Sequence, residues 1–139
     1  MAAIVAEAIA VLITRFAGSA PWEARYGYSR VVVAGGWAIT AGTTATGLDG
    51  VVLHPGDPYR QALAAFTIAL DALQAAGAAA AQVVRTRMYV TDITSQGEVG
   101  RAHREILGHV RPVATMLEVA RLADPAHLVE VEVEAYVGS

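Results

Sequence analysis

The chain has 139 residues, of which 55% are hydrophobic and 6% aromatic, and its formal net charge is −3. This length predicts one domain that buries roughly two-thirds of its unfolded surface, with a core made mostly of Ala, Val, Leu and Ile. All ten cationic side chains are arginines, and cysteine is absent. These counts exclude Schiff-base lysine chemistry, thiolate nucleophiles, disulfides and thiolate metal sites. The apolar composition also favours burial of further surface by self-association.

Residues 1–12 are apolar but include Glu7, and no basic segment precedes the apolar run. The run is too short to cross a bilayer, and its flanks do not match those of a signal peptide. We therefore expect residues 1–12 to be an extension, disordered or loosely docked, ahead of one domain over residues 13–139. A cytoplasmic location without a membrane partner is expected.

The first predicted elements are a short strand and a hairpin. Ile13–Phe16 reads as a strand, and a Gly-Ser-Ala-Pro loop follows it. Residues 30–34 and 37–41 are predicted strands that flank Gly35 and Gly36, a two-residue turn suited to positive φ. A long loop with turn residues then leads to the first helix.

The first predicted helix has clear signals at both ends. Asp57 is placed to cap it, Pro58 occupies its first position, and Gly77 lies just past its end. Its apolar residues recur at spacings of three and four, which predicts one stripe packed on a sheet. The stripe consists of Tyr59, Leu63, Phe66, Leu70 and Leu73.

Residues 83–91 are predicted to form the next strand, followed by a second helix. Alternation places two groups of side chains on opposite sides of the strand. One group is Arg85, Arg87 and Tyr89, and the other is Val84, Thr86, Met88 and Val90. Ser95 and Glu98 are predicted to form a capping box at the start of the helix. The helix stripe is expected to be Val99, Ala102 and Ile106, with Gly108 at its end.

The last predicted elements are strands over residues 115–120 and 128–137, joined by a loop that contains Asp124 and Pro125. This region resembles the signature Pro-x-Arg-Ser-x-Val-Glu-Val-Ala-x-Leu, followed by Glu-Ile-Glu-Ala, of the YjgF/RidA (Rid) superfamily. Pro112, residues 117–122 and residues 132–135 match it. Ala114 stands where deaminating members carry the signature arginine. The resemblance extends from about Ile13 to the C-terminus.

The order of elements and the resemblance agree on an α+β fold. Two helices cannot cover both faces of a sheet of this size, so they are expected on one face, with the other buried between subunits. The resemblance implies a chorismate-mutase-like, YjgF/RidA-type single domain with a mixed sheet. It also implies homotrimers with ligand clefts between neighbouring subunits.

The resemblance further implies a set of site residues. Glu132 matches a glutamate that is thought to handle a water or proton, and it is the catalytic candidate. The ligand-binding candidates implied around the lost arginine are Tyr28, Gly42, Ala114, Thr115 and Met116. In deaminating members the arginine binds the carboxylate of a 2-imino acid through two parallel hydrogen bonds, which the methyl group of Ala114 cannot replace.

Two further residues are candidates for a displaced anion site, namely Arg87 on a strand and His103 on a helix. The alternative for Arg87 is a sheet-face arginine bonded to glutamate. Glu130 and Glu134 are expected to be solvated. The four histidines, at positions 54, 103, 109 and 127, show no metal-binding spacing and are expected at the surface or at helix ends. No metal and no cofactor are implied.

Four functions follow from these residues. The leading hypothesis is a cytoplasmic homotrimer, of a subgroup lacking the catalytic arginine, that binds a small metabolite and does not hydrolyse 2-imino acids. The second is an enamine or imine deaminase with an altered substrate, using Glu132 and water. The third is an endoribonuclease, disfavoured by the negative net charge, and no nucleic-acid partner is expected. The fourth is a structural or regulatory partner with vestigial clefts.

Overall fold

A computed structural model describes residues 12–138, so residues 1–11 of the expected extension lie outside the described part of the chain. The described part of the chain contains seven strands and three helices. The strands are β1 Ile13–Phe16, β2 Val31–Ala34, β3 Trp37–Thr40, β4 Thr43–Thr44, β5 Val83–Val90, β6 Val113–Glu118 and β7 Val129–Tyr136. The helices are α1 Pro21–Tyr26, α2 Pro58–Ala75 and α3 Gln96–Leu107.

All seven strands form one mixed sheet in the order β1-β2-β3-β7-β5-β6, with β4 also paired to β7. Strands β5 and β6 are parallel, and the other described pairs are antiparallel. The two strands of the signature region are therefore not neighbours, because β5 lies between β6 and β7. The parallel strands β5 and β6 need a crossover connection, and α3 lies in that connection. The expected α+β class and mixed sheet are confirmed.

The core lies between one face of the sheet and the helices α2 and α3. Val131 and Val133 of β7 are fully buried there, together with Phe66 of α2 and Val99 and Leu107 of α3. Small residues of α2 share this contact surface: Ala62, Ala65 and Ala69 are fully buried, whereas three members of the predicted stripe are only partly buried. Alanine lets the helix approach the sheet closely, so the buried stripe is broader than the large residues predict.

The helix signals were predicted correctly at both ends of α2 and, with Gly108, at the end of α3, but not at the start of α3. Asp57 accepts a hydrogen bond from the Arg60 amide at 3.0 Å, and Gly77 adopts φ +94° just past the helix. The predicted capping box at Ser95 is wrong, because the Ser95 side chain makes no cap hydrogen bond. Asp92 instead caps a preceding 3₁₀ turn, Ile93–Ser95, by accepting from the Thr94 amide. The capping residue of this helical segment is therefore Asp92, about one turn before the predicted Ser95.

Three further differences separate the structure from the predicted elements. Helix α1 and the two-residue strand β4 are too short to give a periodic pattern, and neither was predicted. Strand β6 covers residues 113–118 rather than 115–120. The register shifts between Val83 and Arg85, so Val83 is buried and Val84, expected on the side of Thr86, is exposed.

None of the helices in the described range 12–138 is long and apolar enough to cross a membrane. The cytoplasmic location stays a prediction.

Candidate functional site

The sheet face without helices carries a central cluster of charged residues, which we call the open-face cluster: Arg85, Arg87, Tyr89, Glu130, Glu132 and Glu134. It arises because β5 and β7 are paired so that Arg87 faces Glu132 and Tyr89 faces Glu130. Alternation then buries Thr86, Met88 and the valines of β7 on the other face. The charged side chains of two adjacent strands are thereby held together.

Arg87 is held by two glutamates of β7. Its Nη1 lies 2.7 Å from Oε1 of Glu134 and 3.8 Å from Oε2 of Glu132, and Arg85 Nε lies 3.8 Å from Oε2 of Glu134. The hydrogen bond to Glu134 raises the pKa of Arg87. The candidate role of Arg87 in a displaced anion site is therefore opposed within one subunit by carboxylates that already neutralise it.

Glu132, the catalytic candidate, accepts a hydrogen bond from the hydroxyl of Tyr89. This hydrogen bond raises the pKa of Tyr89, and burial of the phenol adds to the rise. Thr115 shares this face, because β6 pairs it with Arg87. The arrangement can hold a carboxylate in a fixed orientation at the middle of the sheet.

Ala114 and Met116 lie on the opposite side of β6 from Thr115. Their register partners on β5 are Thr86 and Met88, which are buried against the helices. His103 of α3 reaches the same place, with Nε2 2.8 Å from Oγ1 of Thr86. Burial lowers the pKa of His103. The position of the missing arginine is thus close to a neutral imidazole and not to the open-face cluster.

Tyr28 and Gly42 lie at a third place, which is organised by Arg30. Nη2 of Arg30 donates to the carbonyl oxygens of Ala41 and Gly42 at 2.7 and 2.9 Å and to Oγ1 of Thr43 at 2.8 Å. This guanidinium fixes the path of the chain between β3 and β4. Tyr28 is 42% exposed, so its ring remains accessible to a ligand.

Glu23 of α1 lies beside Arg30 and is only 8% exposed. Its Oε1 accepts a hydrogen bond from the Gly18 amide at 2.8 Å, whereas Glu23 Oε2 and Arg30 Nε are buried without a hydrogen-bond partner in the described residues. Burial lowers the pKa of Arg30, and the charge of Glu23 opposes that change. The pair therefore joins α1 to the start of β2 by attraction of opposite charges.

Glu130 packs its carboxylate directly against Gly42. A Cβ added at Gly42 would collide with Oε1 of Glu130, so a side chain at position 42 would displace the carboxylate from this place. Burial raises the pKa of Glu130, the nearby Glu132 adds to the rise, and Arg30 opposes it. The expectation that Glu130 is a solvated strand residue is wrong, because the side chain fills the space left by the glycine.

The candidate residues thus fall into three groups, two of which are linked by Glu130, because this residue belongs to the open-face cluster and also contacts Gly42. Arg87, Thr115 and Glu132 share the open face, whereas Ala114, Met116 and His103 lie on the helix side of the β6 edge, where Ala114 is exposed. Tyr28 and Gly42 lie near Arg30 at the far side of β7.

Sequence reasoning missed the roles of Glu23 and Arg30. Their signal was weak, because a carboxylate and a guanidinium seven residues apart acquire meaning only when a short helix folds the first back over the second. The surface placement of His127 was also wrong. This residue is 7% exposed, with Nε2 3.0 Å from Oγ1 of Thr46, because the loop before β7 packs against the loop that follows β4.

That loop is held by a buried glutamine of α2. Nε2 of Gln61 donates to the Ala126 carbonyl at 2.9 Å, and Oε1 accepts from the Leu128 amide at 2.8 Å. Among residues 12–138, no group of three or more His, Cys, Asp or Glu side chains could hold a metal ion.

The fold and the surface chemistry define a class of protein: a small α+β domain with two helices on one sheet face and a charged second face. The family model described as Endoribonuclease L-PSP matches residues 18–137. An uncharacterized protein of Streptomyces coelicolor is 42% identical over 127 residues, which cover 91% of this chain and 94% of that protein.

Solved structures agree with this match. Rv2704 of Mycobacterium tuberculosis, a member of the YjgF/YER057c/UK114 family, is 42% identical and superimposes with a TM-score of 0.81, covering 90% of this chain and 99% of that one. A Rid-family protein of Yersinia pestis shares the fold at 23% identity, with a TM-score of 0.80 over 90% and 99% of the two chains. The chain belongs to the YjgF/RidA superfamily.

Proposed function

We propose that this chain forms a homotrimer that binds a small metabolite in clefts between subunits, without classical 2-imino acid deaminase activity. One observation carries the proposal. Ala114 occupies the edge strand beside Thr86 and His103, whereas Arg85 and Arg87, the arginines of the neighbouring strand, lie on the other face and are paired with glutamates. Neither arginine of β5 is therefore free to take over the missing carboxylate contact.

Self-association is supported by the margins of the open face. Apolar side chains flank the open-face cluster on both sides, and each is between 43 and 60% exposed: Trp37, Ile39, Tyr136, Val113 and Leu117. Exposed apolar groups around a charged centre favour contact with another protein surface. The division of the candidate residues into three groups also supports a site that two subunits complete.

The assembly is tested by measuring the mass of the wild-type protein and of Ile39→Asp by light scattering. We expect a trimer for the wild type and a smaller species for the variant, because a charge at an apolar margin opposes contact. Leu48→Asp is the matched control, since Leu48 is 94% exposed in a loop away from this face. A wild-type monomer, or an unchanged mass for Ile39→Asp, would contradict the assembly.

The loss of deamination is tested by hydrolysis of 2-iminopropanoate, followed as ammonia release. We expect the wild type to stay at the uncatalysed rate and Ala114→Arg to gain activity, since a guanidinium restores two parallel hydrogen bonds. Ala114→Lys is the control, because it adds the charge without the fork. Wild-type activity well above background would overturn the proposal.

Wild-type activity on 2-iminopropanoate would favour the second candidate, a deaminase with an altered substrate. The observation behind this second candidate is that Tyr89 holds the carboxylate of Glu132 in place. In a deaminase, Glu132→Gln would abolish the rate of ammonia release. In a protein that only binds its ligand, the same substitution would leave the uncatalysed rate unchanged.

An endoribonuclease is the third candidate, supported by the description of the family model and, in the sequence, by Arg85, Arg87, Arg101, Arg104 and Arg111. Arg85 and Arg87 are both paired with carboxylates. RNA binding that weakens steeply with salt would favour it, since phosphate contacts release counterions.

A further inference from the structure

A groove runs between the C-terminal end of α3 and the segment that enters β6. The residues that line it are His103, Arg104, Leu107, Gly108, Arg111 and Pro112. It is an open surface groove with a volume of about 530 Å³, which is enough room for a small anion. The groove adjoins the place of Ala114, because His103 contacts Thr86, the register partner of Ala114.

The groove carries positive charge that the neighbouring residues do not neutralise. Arg104 and Arg111 make no ion pair within residues 12–138, and no carboxylate lines the groove. By contrast, the guanidinium groups of Arg60, Arg85, Arg87 and Arg101 are each within 4.0 Å of a carboxylate oxygen. Two free guanidinium groups at one concave place favour a bound anion.

The backbone of Arg111 gives an independent reason. Arg111 adopts φ +59°, in the left-handed region, and its amide donates to the Leu107 carbonyl at 2.9 Å to close the turn after α3. Glycine would adopt this conformation without strain and is the usual residue at such a helix end. A strained arginine at this position indicates that its side chain has a role.

A purely structural explanation covers only one of the two arginines. Arg104 lies in the last turn of α3, where a cation interacts favourably with the helix dipole. Arg111 lies beyond the helix, and a glycine there would serve the turn better. His103 adds a polar group, since its Nδ1 makes no hydrogen bond within residues 12–138 while Nε2 contacts Thr86.

We propose that Arg104 and Arg111 bind a small anion, a carboxylate or a phosphate group, in this groove, with His103 at its inner end. Planar guanidinium groups match the oxygens of both anions. The inference rests on the proposed function, because it assigns a chemical class to the metabolite that is expected to bind at the β6 edge. The anion would be held beside Ala114 rather than at it.

The test is a titration of the full-length protein with 2-oxobutanoate, with inorganic phosphate and with neutral butan-2-one, followed by NMR. We expect saturable shifts with at least one anion and none with the ketone, and the response to the two anions identifies the preferred group. The affinity should fall in about 0.5 M salt, because the groove is open to solvent.

Arg111→Gly is the decisive variant. We expect its anion affinity to fall about tenfold or more, as for the loss of a charge-assisted hydrogen bond. Its melting temperature should be unchanged or higher, because glycine relieves the strained backbone. Arg104→Ala should also weaken binding, whereas the control variants Arg60→Ala and Arg101→Ala should bind as the wild type does.

The inference is overturned if neither anion saturates, if butan-2-one binds equally well, or if Arg111→Gly keeps the wild-type affinity. Failure of the proposed function is recognised separately. A monomeric wild type, or one active on 2-iminopropanoate, contradicts that proposal whatever the result of the anion titration.

Discussion

The two faces of strand β7 are formed by alternate residues of one short sequence, and they differ in polarity and in burial. Val129, Val131 and Val133 are fully buried under α2 and α3. Glu130, Glu132 and Glu134 are only partly buried, and each is placed by a different contact: a glycine, a tyrosine and two arginines. The covered face therefore forms the core that stabilises the domain, whereas the open face leaves its charged side chains partly exposed.

The largest expected effect is on the covered face. Phe66→Ala removes a fully buried ring and should lower the free energy of unfolding by about 3–5 kcal/mol, through lost burial and the cavity left behind. Urea denaturation measures the change. If the loss for Phe66→Ala were as small as the loss for Ile39→Ala on the open face, the distinction between the two faces would be contradicted.

Arg30→Met should have the next largest effect. The substitution leaves three oxygen acceptors, of Ala41, Gly42 and Thr43, without their shared donor, and we expect a loss of about 2–3 kcal/mol in the free energy of unfolding. Arg60→Met is the matched control, because the exposed pair of Arg60 with Asp57 should contribute little. Equal losses for the two variants would remove the assigned role of Arg30.

Glu130 should make stability depend on pH on the open-face side. Its pKa is raised by burial above the ordinary 4.5, so in the interval above that value the folded chain binds more protons than the unfolded chain. The free energy of unfolding therefore falls as pH rises through this interval. Glu130→Gln should flatten the slope in urea titrations between pH 4.5 and 7, whereas Glu98→Gln, on the surface of α3, should leave it unchanged.

His127 should give the opposite, smaller dependence. Burial lowers its pKa below the ordinary 6.5, with Asp124 opposing, so below that value the folded chain binds fewer protons than the unfolded chain. The free energy of unfolding then falls as pH drops below 6.5. His127→Gln should reduce this loss, and the exposed His109→Gln should not. An identical acid response in both variants would exclude His127 as its source.

The main secondary-structure elements and the family were predictable from local patterns of the sequence. Alternation in residues 129–136 and the signals at Asp57 and Gly77 were sufficient because they depend on neighbours along the chain. The signature region was sufficient for the superfamily, and it showed Ala114 in place of the arginine. Short elements such as α1 escaped prediction because six residues are too few to show a period.

Which candidate residues lie close together depends on the tertiary structure. It separated Glu132 from Ala114 by the two faces of the sheet, and it neutralised Arg87 with glutamates of β7. It also brought Glu23 to Arg30, Glu130 to Gly42, and His103 into one groove with Arg104 and Arg111. These contacts depend on strand order and helix placement, which bring together residues that are far apart in the chain and carry no mark of it in their local sequence.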